Sequence, residues 1–128
     1  MGLRVGAAAY DGRSAFTLEA RADAQGGLSM YVTEFTLRAK PGHFEQLAEI
    51  HSEFAADFLS DHPALQTVMV VGDEASGVVR GIGVYMDREA AEEVNSDPEF
   101  AAYNDRIEPL LASPPERVEL QLLHLYAR

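Results

Sequence analysis

Four histidines, five tyrosines and no cysteine set the side-chain chemistry open to this 128-residue chain. Without cysteine there is no disulfide, no thiolate metal site and no thiol nucleophile. His51 is the residue best placed to move a proton. It shares one helical face with Phe44 and Phe58, which flank it two turns away on either side. Imidazole titrates near neutrality and can take a proton from a phenol or an activated carbon acid. The competing reading is a half-buried imidazole bonded to a neighbour. Asn104 is the second catalytic candidate, able to hold a developing enolate oxygen or dioxygen. Its plainer reading is a helix residue at the solvent edge. Tyr85, Tyr103 and Tyr126 each join a ring to a hydrogen-bonding tip, and with Phe35 and Phe54 they are candidate walls for an aromatic substrate. Core or interface packing is the simpler account of each.

The other histidines carry less. His43 stands at a helix start and His62 precedes a proline, so both are expected in solvent. His124 alternates with Leu122 and Tyr126 and faces either a pocket or a subunit seam. No two histidines stand four apart, and Glu45, Glu49 and Glu53 lie on a wet helix face. No metal is therefore expected. Gly81 and Gly83 sit inside a strand and open no helix, so they are not a phosphate loop. They make room for a ligand or a close backbone contact.

These residues need elements to hold them. Met1 to Gly27 is rich in Ala, Gly, Arg and Asp without a clean period, and Gln25-Gly26-Gly27 reads as a linker. Residues 1–29 are thus an N-terminal extension, with disorder or a short strand over Ser14 to Ala20 as its two prospects. Residues 30–128 form the domain. Tyr31 to Ala39 alternates as a strand, and Lys40-Pro41-Gly42 ends it. His43 to Ser60 is a helix with the stripe Phe44, Leu47, Ile50, His51, Phe54 and Phe58. Leu65 to Val71 and Val78 to Met86 are strands joined by a glycine-flanked hairpin loop. Asp87 caps a helix to about Asn95. Ser96-Asp97-Pro98-Glu99 restarts one with a capping box. Arg117 to Tyr126 is the last strand.

The order strand, helix, strand, strand, helix, strand is the ferredoxin-like βαββαβ pattern. It predicts an α+β domain with a four-stranded antiparallel sheet and both helices on one face. The other face is left bare, and Val68-Met69-Val70-Val71 is apolar toward both sides. Burying a few hundred Å² at ~25 cal/mol per Å² is worth several kcal/mol before association costs. The expected partner is a second copy, pairing as a homodimer through the open sheet face. A formal net charge of −11 repels phosphate backbones and acidic membranes, which argues against nucleic acid and membrane partners. No apolar run approaches the roughly 20 residues of a membrane span, and a cytoplasmic address is expected.

The element order, Lys40-Pro41-Gly42 before the first helix, Tyr85-Met86-Asp87 before the second and Ser96-Asp97-Pro98-Glu99-Phe100 resemble the antibiotic biosynthesis monooxygenase family. The likeness covers about residues 30–126. It implies a dimeric α+β barrel with one pocket per subunit between sheet and helices. It also implies a cofactor-independent monooxygenase acting on a small aromatic or polyketide-like compound. The haem-degrading members use an Asn, a Trp and a His where this chain has Phe35, Tyr85 and Asn104, so haem degradation is not implied. The alternative is a non-catalytic or stress-associated barrel that binds a small hydrophobic ligand in the same pocket.

Overall fold

A computed structural model describes residues 4–10, 13–19 and 30–128. The linker expected at Gln25-Gly26-Gly27 lies outside the described residues. The chain runs β1 (Arg4–Tyr10), β2 (Arg13–Glu19), β3 (Tyr31–Arg38), α1 (Phe44–Asp61), β4 (Leu65–Asp73), β5 (Val78–Tyr85), α2 (Arg88–Asn95), α3 (Pro98–Ile107), β6 (Glu116–Gln121) and β7 (Leu125–Ala127). A 3₁₀ turn, Glu108–Leu110, follows α3 where Pro109 cannot continue it.

The main sheet has the order β4-β5-β3-β6, every neighbour antiparallel. This is the ferredoxin-like arrangement the pattern predicts. Alternation along each strand sorts the side chains into two layers. Leu37, Leu47, Ile50, Val79, Tyr103 and Ile107 build one core cluster between sheet and helices. Phe58, Leu65, Tyr85, Ala91 and Val94 build a second under α2. The stripe of α1 is the face that descends on the sheet, with Leu47, Ile50, His51, Ala55 and Phe58 buried.

The junction between α2 and α3 differs from the expected capping box. Asp97, not Ser96, caps α3, accepting from the Glu99 amide at 2.8 Å. Ser96 instead donates back to the Glu92 carbonyl and closes α2. Asp97 has a second task. Its other oxygen accepts from His62 Nε2 at 2.9 Å, while His62 Nδ1 meets the Phe58 carbonyl at 3.0 Å. His62 is thus no free loop residue. Burial alone would lower its pKa, but the bonds to Asp97 and Phe58 outweigh this and raise it. The pair ties the end of α1 to the start of α3.

The final strand also departs from expectation. It stops at Gln121, and β7 pairs with β2, whose other neighbour is β1. Leu122 and Leu125, like Val32, pack against the buried pair Met30 and Val84. Residues three apart cannot reach one face of a flat strand, whose side chains repeat every two residues. Burying both leucines bends the chain out of the sheet.

The face away from the helices carries Met69 and Val71 of β4 and Val118 and Leu120 of β6, all exposed, with Met69 at 54% and Leu120 at 50%. Val68 and Val70, by contrast, point to the helices, where Val68 lines a cavity and Val70 touches the first core cluster. Among the described residues no helix is long and apolar enough to cross a membrane.

Candidate functional site

Two neighbouring cavities lie on the helix side of the sheet, the smaller under α1 and the larger along α3. The inner chamber, about 60 Å³, is lined by Thr33, Phe35, His51, Phe54, Gly81, Gly83 and their neighbours. The outer cleft, about 730 Å³, runs along α3 and the segment before β6 and is lined by Asn104, Asp105, Glu108, Leu111 and Ser113 among others. Phe35, Phe100 and Arg117 belong to both walls and form the partition.

Size assigns different occupants. One water takes roughly 30 Å³, whereas a benzene-binding cavity measures about 150 Å³. By volume the inner chamber admits nothing larger than water- or dioxygen-sized molecules. The outer cleft is in the range of drug-sized ligands, roughly 300–1,000 Å³.

His51 reaches the chamber from α1 and is 5% exposed. Its Nδ1 shares a hydrogen bond with the Tyr103 hydroxyl from α3. Its Nε2 is buried and has no hydrogen-bond partner. The ring lies directly on Gly81 of β5, where an added Cβ would overlap Nε2. Desolvation by burial lowers the His51 pKa to about 4, so the imidazole is neutral at pH 7. Burial likewise raises the Tyr103 pKa, leaving a neutral phenol. Tyr103 is stacked on Phe54 with ring centroids 3.9 Å apart. The dyad is uncharged and held on one side only.

The structure brings Phe35, Phe54 and His51 together around the inner chamber. Asn104 lines the outer cleft, apart from His51, because α3 turns it toward the segment before β6. Tyr103 lines neither cavity; it stands behind His51 and fixes the ring. Tyr85 is also a core residue, packed with Phe58, Leu65 and Ala91. Burial raises its pKa, against the smaller opposing effects of a hydrogen bond with Thr33 and the charge of Arg117. Tyr126 is not a wall residue at all. It is 77% exposed on β7, beyond the bend that takes the chain out of the main sheet. His124 is exposed beside it, its ring stacked on that of Tyr126 at 5.7 Å.

Arg117 is the residue the sequence reading passed over. Phe35 pairs with Arg117 and Thr33 with Glu119, so the charged side of β6 faces the helices and Val118 and Leu120 face away. The alternation was visible, but an apolar side is normally read as the inner one. Among the described residues no group of three His, Asp or Glu side chains is arranged to hold a metal ion.

A four-stranded antiparallel sheet roofed on one side by helices, with the pocket between them, defines a ferredoxin-like domain of the antibiotic biosynthesis monooxygenase fold. Solved structures carrying that family's name share it. A "putative antibiotic biosynthesis monooxygenase" from Caulobacter crescentus superposes with a TM-score of 0.67 at 18% identity, covering 74% of this chain and 91% of that one. The protein of the same description from Nitrosomonas europaea gives 0.66 at 17%, covering 74% and 91%. That from Chloroflexus aurantiacus gives 0.60 at 25%, covering 74% and 94%. At these identities the likeness shows the fold the sequence resemblance implied. No family model matches the chain, and no curated protein matches it.

Two outcomes follow from the His51–Gly81 contact. The folded pKa of about 4 lies below the unfolded value of about 6.5, so the unfolded chain binds more protons between these values. Stability from this group is complete above pH ~6.5 and lost as pH falls toward 4, by at most about 3 kcal/mol. Denaturant titrations from pH 4 to 7 should show this slope, and His51→Leu should flatten it. Gly81→Ala forces the ring off the sheet and should cost about 1–3 kcal/mol, read by the same titrations.

Proposed function

We propose that this protein is a cofactor-independent monooxygenase oxidising a small aromatic or polyketide-like compound. The observation that supports it most is the unpartnered Nε2 of a buried, neutral His51 beside a dioxygen-sized chamber that adjoins a ligand-sized cleft. The aromatic body occupies the outer cleft, with its reacting edge at Phe35 and Phe100. For Nε2 to accept a proton, Nδ1 must keep its hydrogen and donate it to the Tyr103 oxygen. A base whose pKa is about 4 removes protons only from already acidic substrates, such as a phenol-activated methylene. One water in the inner chamber bridges the distance to the substrate.

The chemistry balances without a further reductant. The deprotonated methylene passes one electron to dioxygen, and the radical and superoxide combine as a peroxide. Loss of water from the peroxide leaves a ketone, so CH₂ plus O₂ gives C=O plus H₂O. Asn104, in the cleft wall, supplies a hydrogen bond to the substrate's oxygen rather than acting beside His51.

The second reading, a non-catalytic barrel binding a small hydrophobic ligand, is favoured by one observation. Nε2 is packed against the Gly81 backbone and needs a small movement before anything can bond to it. Oxygen uptake with an anthrone-type compound separates the two. The enzyme reading expects uptake in the parent protein that falls at least about 100-fold in a folded His51→Ala variant. It also expects an acidic limb near pH 4 rather than 6.5. Equal uptake in parent and variant removes His51 from the mechanism, and ligand binding without uptake favours the second reading.

We further propose that the protein acts in the cytoplasm as a homodimer through the open sheet face, where Met69, Val71, Val118 and Leu120 are exposed. Arg80 and Glu34, 4.0 Å apart on this face, offer a polar pair within it. Leu120→Glu places a charge at the seam and should convert a micromolar dimer to monomer in sedimentation equilibrium. A parent protein that sediments as a monomer at that concentration would refute the pairing.

A further inference from the structure

We infer that the outer cleft is a seat for a planar aromatic monoanion, with Arg117 selecting the anion and Asn104 and Ser113 bonding its other polar groups. The inference deepens the reading above and rests on it only for the aromatic body of the ligand. Three buried side-chain polar atoms lack a hydrogen-bond partner among the described residues: His51 Nε2, Asn104 Oδ1 and Ser113 Oγ. His51 is a wall residue of the inner chamber, and Asn104 and Ser113 are wall residues of the cleft. Orphaned buried polar atoms are rare in folded proteins. Two of them belong to side chains of the cleft wall; neither atom is open to the cleft, so each must turn outward before a ligand or ordered water completes its bonding.

Arg117 is the single cationic side chain in the cleft wall, and its guanidinium is held in place. Nη2 donates to the Ala91 carbonyl at 3.2 Å, and Nη1 pairs with Glu119 at 3.1 Å. A guanidinium has five N–H donors in a fixed fork, and these contacts occupy only part of it. Glu119 offsets part of the charge. Selection therefore comes from oriented, charge-assisted hydrogen bonds to an anionic oxygen rather than from a long-range field.

The surroundings narrow the ligand further. Asp105 and Glu108 are exposed cleft residues, and they repel polyanions such as phosphates and nucleotides. A single anionic group on an aromatic ring avoids most of that repulsion, because its apolar body fits against Phe35, Phe100 and Leu111. A phenolate, a carboxylate or a sulfonate meets these terms.

A matched pair of dyes tests the inference: 8-anilinonaphthalene-1-sulfonate, and N-phenyl-1-naphthylamine, which has the same ring system without the sulfonate. Fluorescence titration of the full chain should give about tenfold tighter binding of the sulfonate. Arg117→Met should weaken the sulfonate about tenfold while leaving the neutral dye within about twofold, and Arg117→Lys should restore part of the loss. Ala112→Trp, at an exposed position in the cleft wall, should abolish binding of both dyes. The inference fails if the neutral dye binds as tightly as the sulfonate, or if Arg117→Met moves both dyes equally. It fails also if both still bind to Ala112→Trp, which would place them on the exposed sheet face. Circular dichroism melts check each variant. Should Arg117→Met not fold, the dye preference of the parent protein and the Ala112→Trp result decide the question. No turnover is measured, so a failed dye test leaves the oxygenase reading open, and absent oxygen uptake leaves the seat standing.

Discussion

The contact on which the site depends is that between the His51 ring and the bare backbone of Gly81. It sets how closely α1 approaches β5, and so how much room remains beneath the helices. Because residue 81 has no side chain, a polar ring can lie where a leucine would otherwise fill space. The same approach brings Tyr103 of α3 onto the other ring nitrogen, and the stacking of Tyr103 on Phe54 locks that phenol in turn. Close packing transmits each of these placements to the next. The cost is a buried nitrogen without a partner, a group whose desolvation is uncompensated until something enters the chamber.

That arrangement also limits the chemistry. A triad would set a carboxylate behind the imidazole and strengthen it as a base. Here a neutral phenol occupies that place, and burial weakens the base further. The fold thus supplies an uncharged imidazole–phenol pair and no carboxylate behind it to strengthen the base. Phe35, Phe100 and Arg117 divide the space into a small chamber and a large cleft.

Much of this could be seen in the residues alone. The stripe of α1 and the alternation of β3 are legible because their spacing is local and their partners are simply the core. The ferredoxin-like order follows from the same local signals. The His51–Tyr103 bond was not legible, because the two residues are far apart in sequence and meet only when two helices pack. Asn104 and Tyr103 are adjacent in sequence yet face a cleft and a core, a division set by the rotation of α3. Tyr126 followed the alternation of a strand that bends after Gln121, since Leu122 and Leu125 gain more by packing on Met30 and Val84. Asp97 displaced Ser96 as the cap because His62 was waiting for its second oxygen. Each miss is a case of tertiary packing overriding a correct local pattern.

The alternation of β6 has a consequence for how this protein can change. Its odd positions, Arg117 and Glu119, look toward the helices, while its even positions, Val118 and Leu120, look toward solvent on the bare side of the sheet. One short strand thereby carries two independent alphabets, interleaved residue by residue. Drift in one can retune what the cleft accepts without disturbing the surface behind it. The reverse holds too, so the two sides of the sheet are free to diverge at separate speeds across a strand only six residues long.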